Sequence, residues 1–162
     1  MAIELYRVDD RLIHGQVVIG WGHPLALRFI VLVDDNVAGS DWERELYRMG
    51  TPPEVDLYFE TTESAVARMP EFAARPDPGL LLTADVATMA RLCDGCAAIR
   101  EVNIGGLHHR AGRSPCLPYV FLSPEDEGAL KSIAARGVRV IAQDLPASDP
   151  VELGDLLSKE GA

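Results

Sequence analysis

The run Asp9-Asp10-Arg11-Leu12-Ile13-His14 gathers two carboxylates, a guanidinium and an imidazole, and Gly15 and Gln16 follow at once. A neutral imidazole can attack phosphorus and form a labile N–P bond, so a histidine in this company is a candidate phosphoryl acceptor. The anionic group it would carry calls for charge-assisted donors, and Arg11 and Arg7 are the nearest cations. Backbone N–H groups around His14, Gly15 and Gln16, at the start of a helix, offer further donors. Asp9 or Asp10 would fix the arginine or the imidazole tautomer. The same residues would also suit a solvated turn ahead of a helix, and their types alone leave both roles open.

Elements that would position this run are legible in the hydrophobic pattern. Residues 3–8, 29–33, 55–59, 80–82, 99–104, 119–122 and 138–142 read as strands, and several are apolar throughout. Continuous apolar strands indicate a parallel sheet covered on both faces. Between them Ser40 and Glu43 form a capping-box pattern, Thr83 precedes an amphipathic stretch, and Ser123-Pro124 opens another. Segments 16–21 and 62–69 add helices, and Asp149-Pro150 precedes a last one on which Leu153, Leu156 and Leu157 share a face. The expected fold is α/β: an open, mostly parallel seven-stranded sheet with about six helices on both faces, one domain over residues 1–162. In such sheets ligands bind at the carboxyl ends of the strands, so the loops after Val8, Val33, Leu82, Ile104 and Leu122 are the ones to inspect. Asn103-Ile104-Gly105-Gly106 supplies one of them, with glycines that permit close backbone approach to a ligand. Thr83 ends another strand, where its hydroxyl would reach the site or cap a helix.

Composition narrows the function classes. The chain has 162 residues, 48% hydrophobic and 25% charged, the profile of a globular protein rather than a disordered tail or a coiled coil. Its 15 Lys plus Arg against 25 Asp plus Glu give a net charge of −10, which repels nucleic acid and anionic membranes. No apolar run approaches the roughly 20 residues of a membrane span, and the N-terminus lacks signal-peptide features, so a cytoplasmic location is expected. Cys93-Asp-Gly-Cys96 matches C-x-x-C but closes a helical stretch, with Gly95 where a C-cap belongs, instead of following a strand. It is read as structural, and no metal or cofactor is called for. His23, His108 and His109 are expected at the surface, Trp21 and Trp42 in the core, and Arg110 and Arg113 in a solvated loop.

The stretch Arg7-Val8-Asp9-Asp10-Arg11-Leu12-Ile13-His14-Gly15-Gln16-Val17, with Trp21 beyond it, closely resembles the signature of the IIB component of the mannose/fructose/sorbose family of the sugar phosphotransferase system (PTS). Val33-Asp34-Asp35-Asn36, Asn103-Ile104-Gly105-Gly106-Leu107 (Leu107 where the family usually has Met) and Leu145-Pro146-Ala147-Ser148-Asp149 continue the resemblance along the chain. It implies that His14 is the phosphorylated nucleophile, receiving its group from a phosphohistidine of a IIA domain. The acceptor would be a sugar held by the membrane subunits IIC and IID, which makes the chain a component of a protein-N-phosphohistidine–sugar phosphotransferase, peripherally associated with those subunits. By the same resemblance Arg11 grips the phosphoryl oxygens first and Arg7 second, and Asp10 orients Arg11. Gly15, Gln16, Thr83, Gly105 and Gly106 support the group.

Two other functions stay open: a regulatory phosphocarrier not coupled to transport, and a nucleotide-binding α/β enzyme. The second is disfavoured because no G-x-G-x-x-G or G-x-x-x-x-G-K-[ST] follows a strand. Neither the sugar nor assembly into homo-oligomers is readable.

Overall fold

A computed structural model describes residues 2–158. Nine strands run β1 (Ile3–Val8), β2 (Phe29–Val33), β3 (Asp56–Glu60), β4 (Gly79–Thr83), β5 (Glu101–Ile104), β6 (Ser114–Leu117), β7 (Val120–Leu122), β8 (Arg139–Ala142) and β9 (Val151–Glu152). Seven α-helices accompany them: α1 (Gly22–Leu25), α2 (Asp35–Ala38), α3 (Asp41–Met49), α4 (Thr62–Ala73), α5 (Val86–Gly95), α6 (Pro124–Ala135) and α7 (Leu153–Leu157). A π-helical turn, Gln16–Trp21, leads into α1.

Seven strands form one sheet in the order β3-β2-β4-β1-β5-β8-β9, parallel except for the β8–β9 pair. The strands are apolar throughout because both faces are covered. Phe29, Val31, Val33 and Leu81 pack toward α4, α5 and α6, while Ile30, Leu32, Leu80 and Leu82 pack against Val17, Trp21 and Val37 on the other face. Each such side chain, fully removed from water, contributes about 1.5–3 kcal/mol. Helix starts follow the expected chemistry: the Ser40 and Ser123 side chains accept from Glu43 N–H and Asp126 N–H.

Several expectations change. The seventh strand of the sheet is the two-residue β9, not residues 119–122. The latter region contains β7, which pairs antiparallel with β6 in a separate ribbon beside Leu107. Two residues are too few to show a period, so β9 was invisible in the pattern. Asp85, not Thr83, caps α5, its side chain accepting from Thr88 N–H at 2.7 Å. Gly95 is the last residue of that helix and Cys96 its C-cap. Trp21 is buried, but Trp42 is 69% exposed. Glu43, Arg44 and Tyr47 form the half-buried side of α3, which leaves Trp42, Leu46 and Met49 in solvent.

Strand order fixes where a ligand would lie. The chain passes from β1 to β2 in one direction and from β4 to β5 in the other, so β1 sits at the reversal. The crevice at such a point opens beyond the carboxyl end of the strand, and Asp9 is the first residue past it.

Candidate phosphoryl site

Asp9 continues the line of β1: its N–H donates to Thr83 O at 2.9 Å, and the N–H of Gly105 donates to Val8 O at 2.7 Å. The chain then turns sharply, with Leu12 in the left-handed region at φ 57° and its N–H donating to Asp9 O at 3.0 Å. Leu12 and Ile13 are buried, which anchors the turn and brings His14 back over the strand end.

The fully buried Asp9 carboxylate is the hub. Its Oδ2 lies 3.2 Å from His14 Nε2 and 3.7 Å from Arg7 Nη2, and accepts from Gly106 N–H at 3.3 Å. Its Oδ1 accepts from Arg11 N–H at 3.1 Å and lies 3.8 Å from Arg11 Nε. Burial by itself would raise the Asp9 pKa, but His14, the Arg11 amide and Arg7 outweigh it and hold the carboxyl below its ordinary 3.8. Asp9 is therefore a carboxylate at neutral pH. His14 turns Nε2 inward, where it is buried with Asp9 as its charged neighbour and no aligned hydrogen bond. Nδ1 is the ring nitrogen left unenclosed.

Arg7 is also fully buried. Its Nη1 donates to Asn103 Oδ1 and, at 2.9 Å, to Gln143 O, and its Nη2 donates to Asp144 O at 3.1 Å. The guanidinium carbon lies 4.8 Å from the centre of the Trp21 ring, whose Nε1–H also donates to Asp144 O, at 3.1 Å. Burial lowers the Arg7 pKa to about 10, and Asp9 is the first of the charges that oppose the shift. Arg7 thus supports the site from beneath and has no route to grip a surface phosphoryl group, which corrects the expectation made for it. Gly105 is required by this packing: a Cβ there would lie 2.4 Å from Arg7 Nη2 and 2.5 Å from its Cζ.

Arg11 stands at the surface, its side chain 46% exposed, donating from Nη2 to Gln16 Oε1 at 2.9 Å. Gln16 in turn donates to Asp144 Oδ1 at 3.3 Å. Asp10 does not orient Arg11. It turns the other way, accepting from the His108 N–H at 2.7 Å and lying 2.7 Å from His108 Nδ1 and 3.9 Å from Arg113 Nη1. The reason is geometric: consecutive residues leaving a strand point to opposite sides, and Asp9 already occupies the inner position. Arg113, expected in solvent, is nearly buried between Asp10 and Asp126. Arg110 is exposed, as are His23, His108 and His109. Gly15 is exposed at the turn, and Gly106 O accepts from Asp10 N–H at 2.9 Å. Thr83 is buried, and its hydroxyl donates to Asp85 O at 3.2 Å instead of entering the site. No group of three or more His, Cys, Asp or Glu among the described residues is placed to hold a metal ion.

The residues missed in sequence are Asn103, Gln143 and Asp144 as partners of Arg7, and Asp9 as hub in preference to Asp10. Gln143 and Asp144 follow the end of β8, one strand beyond β5. The rule that sites lie at carboxyl ends of strands would have included that loop had it been applied to residues 138–142.

A mostly parallel sheet thus carries a buried aspartate and a largely covered histidine at its reversal point, with an arginine beside them. Comparison with known proteins gives the family. The profile of the PTS system sorbose subfamily IIB component matches residues 3–162, and the chain belongs to that family. It is 31% identical over 156 residues to the N-acetylgalactosamine-specific phosphotransferase enzyme IIB component 1 of Escherichia coli strain K12, covering 94% of this chain and 97% of that protein. It is 30% identical over 161 residues to the mannose-specific EIIAB component of the same strain, covering 98% of this chain but 49% of that longer protein. The crystal structure of the IIBSor domain of the sorbose permease from Klebsiella pneumoniae superposes with a TM-score of 0.89 at 27% identity, covering 99% of this chain and 98% of that one. The chain is thus a phosphocarrier component of a sugar phosphotransferase system. Among the described residues no helix is long and apolar enough to cross a membrane.

Proposed function

We propose that His14 accepts a phosphoryl group at Nδ1 from a phosphohistidine of a IIA domain and passes it to a sugar held by membrane subunits IIC and IID. The observation that carries this reading is the buried contact of Asp9 with His14 Nε2. A carboxylate there favours the tautomer with the proton on Nε2 and the lone pair on Nδ1. In the transfer the N–P bond of the donor breaks with its electron pair, and the Nδ1–P bond forms. No proton leaves His14, so its ring becomes cationic, and Asp9 stabilises that charge. In the acceptor step the Nδ1–P bond breaks with its pair returning to Nδ1, and the sugar oxygen takes the group as its hydroxyl proton passes to water or to a base held with the sugar.

Transfer of this kind asks for in-line positioning and charge stabilisation, not elaborate covalent chemistry. Arg11 is the grip: Asp9 Oδ1 and Gln16 hold one side of its guanidinium, and the remaining donors are free to face the phosphoryl oxygens. Gly15 leaves the approach open, since a Cβ there would have no atom within 4 Å. Relatives named for N-acetylgalactosamine, mannose and sorbose are 30–34% identical to this chain, which supports a sugar as the final acceptor. The mannose relative, whose name joins A and B components, supports a IIA domain as the donor. A donor domain that must come and go is expected to meet this one through a small, fast-exchanging interface. On this reading residues 1–162 are one IIB domain, working on the cytoplasmic side against its membrane partners.

The test is phosphorylation of the purified protein by phosphoenolpyruvate with enzyme I, HPr and a IIA domain. One acid-labile, base-stable phosphate is expected, absent in His14→Ala and sharply reduced in Arg11→Ala. An acid-stable phosphate, or label retained by His14→Ala, would overturn the assignment.

A further inference from the structure

Asp9 and Asp10 leave β1 side by side, and each holds an imidazole. Asp9 Oδ2 lies 3.2 Å from His14 Nε2, whereas Asp10 Oδ1 lies 2.7 Å from His108 Nδ1. The two rings are therefore held by opposite nitrogens, leaving Nδ1 of His14 and Nε2 of His108 to face outward. Gly106 lies between the pairs. A Cβ on it would be 3.4 Å from His108 Cε1 and 3.5 Å from Asp9 Oδ1, so the His108 ring and the Asp9 carboxylate flank the same glycine.

His108 is also held more firmly than an exposed histidine requires. Its ring is 55% exposed, but Asp10 beneath it is only 7% exposed. Its backbone N–H donates to Asp10 Oδ2 at 2.7 Å, and its carbonyl accepts from Arg113 Nη1 at 2.9 Å. Arg113 is braced by Asp126, 3.4 Å away at the N-terminus of α6. Ring, backbone and supporting arginine are thus fixed beside the site, with Nδ1 turned to Asp10 and Nε2 turned away from it.

We propose that His108, in its doubly protonated form, is a further catalytic residue of transfer at His14, donating from Nε2–H to a phosphoryl oxygen while the group arrives and departs. Its proton stays on the ring, so it adds a donor to the grip of Arg11 without changing the atoms exchanged. The proposal rests on the reading of His14 as the acceptor.

Asparagine and glutamine separate this role from that of a loop latch. His108→Asn keeps an N–H near the Nδ1 position, able to bond Asp10, and removes the outward donor. His108→Gln places an N–H near the Nε2 position. Labelling rates from the phosphoenolpyruvate relay are compared with thermal midpoints for wild type and both variants. Loss of one preorganised donor at a half-open site should slow labelling of His14 roughly tenfold or more in His108→Asn, its midpoint unchanged, with partial recovery in His108→Gln. Labelling of His108→Asn at the wild-type rate would overturn the proposal. So would slowing that only follows a lowered midpoint in both variants. Failure of the wild type itself to take up acid-labile phosphate would instead strike the reading of His14, and this proposal with it.

Discussion

The two ends of β1 are chemically opposite. At the amino end Ile3 and Tyr6, with Met69, Pro70 and Cys96, line an apolar cavity of about 250 Å³. Burial pushes the Tyr6 hydroxyl up to about 12 and the Cys93 thiol up to about 11. Arg136 pulls the Cys93 thiol the other way but does not overcome burial, and both groups stay neutral at neutral pH. At the carboxyl end Arg7 and Asp9 are fully buried, yet both stay charged, because each is the other's counterion. The Gln143 and Asp144 carbonyls accept from the Arg7 Nη atoms and Gly106 N–H donates to Asp9, with Arg7 Nε the one buried atom of the pair left without a partner. Burial alone therefore does not set the state of an ionisable group. Under the proposed transfer at His14 the carboxylate beside it must be ionised, and the sheet supplies the counterion from within.

The largest break in that contrast is expected from Arg7. Removing one partner of a buried ion pair costs about 3–5 kcal/mol, since the other is left uncompensated. Arg7→Met leaves Asp9 without its buried counterion and strips partners from Asn103 and the carbonyls of Gln143 and Asp144. Urea unfolding should show a fall of that size with an unchanged m value. In the wall of the apolar cavity, Tyr6→Phe should stay within about 1 kcal/mol of wild type, because it removes a neutral hydroxyl from an apolar surface. Equal costs for the two variants would abolish the distinction drawn between the ends.

A smaller effect is expected from pH. The Asp9 pKa is depressed in the folded protein, so the unfolded chain binds the proton more readily. The stability this confers is fully present above the unfolded value of about 3.9 and is lost as pH falls through the lower folded value. Asp9→Asn has no such proton to bind. Its unfolding free energy should fall less than that of wild type between about pH 5 and pH 2, although it starts lower at neutral pH. Parallel pH dependence in the two proteins would place the acid sensitivity elsewhere, in the carboxylates of Glu71 or Asp77, for example, whose pKa values are also lowered by arginines.

These residues also show what the sequence could and could not reveal. The run from Arg7 to Gln16 was legible because its chemistry is local: cation, carboxylates, imidazole and glycine stand within ten positions of one another. Most of the sheet was legible for a similar reason, since strands covered on both faces are written as unbroken apolar runs. The choice between Asp9 and Asp10 was not legible. Adjacent aspartates are identical in composition, and only the direction in which each leaves β1 makes one a buried hub and the other a rim residue. Arg7 was legible as a cation but not as a buried one, because Asn103, Gln143 and Asp144 lie roughly a hundred residues or more away along the chain. Trp42 failed differently: large aromatics are usually buried, and nothing local says which side of α3 meets the sheet.

The subtlest test concerns the thiols at the quiet end. Cys93 and Cys96 are both buried, and burial raises both thiol pKa values, that of Cys93 to about 11. Attack on a disulfide reagent requires the thiolate. At pH 8 a thiol with the ordinary pKa of about 8.5 is ionised to roughly a quarter, and one near 11 to roughly a thousandth. Ionisation alone should therefore slow Cys93 by about two orders of magnitude in the native protein, and limited access slows it further. Cys116, less deeply placed, should react first, and the other two should follow only as urea unfolds the chain. Rapid native-state reaction of Cys93 or Cys96 at pH 8 would mean that a thiolate is stabilised there after all. The C-x-x-C pair would then be a chemical site, and the amino end of β1 would no longer be the neutral counterpart of its carboxyl end.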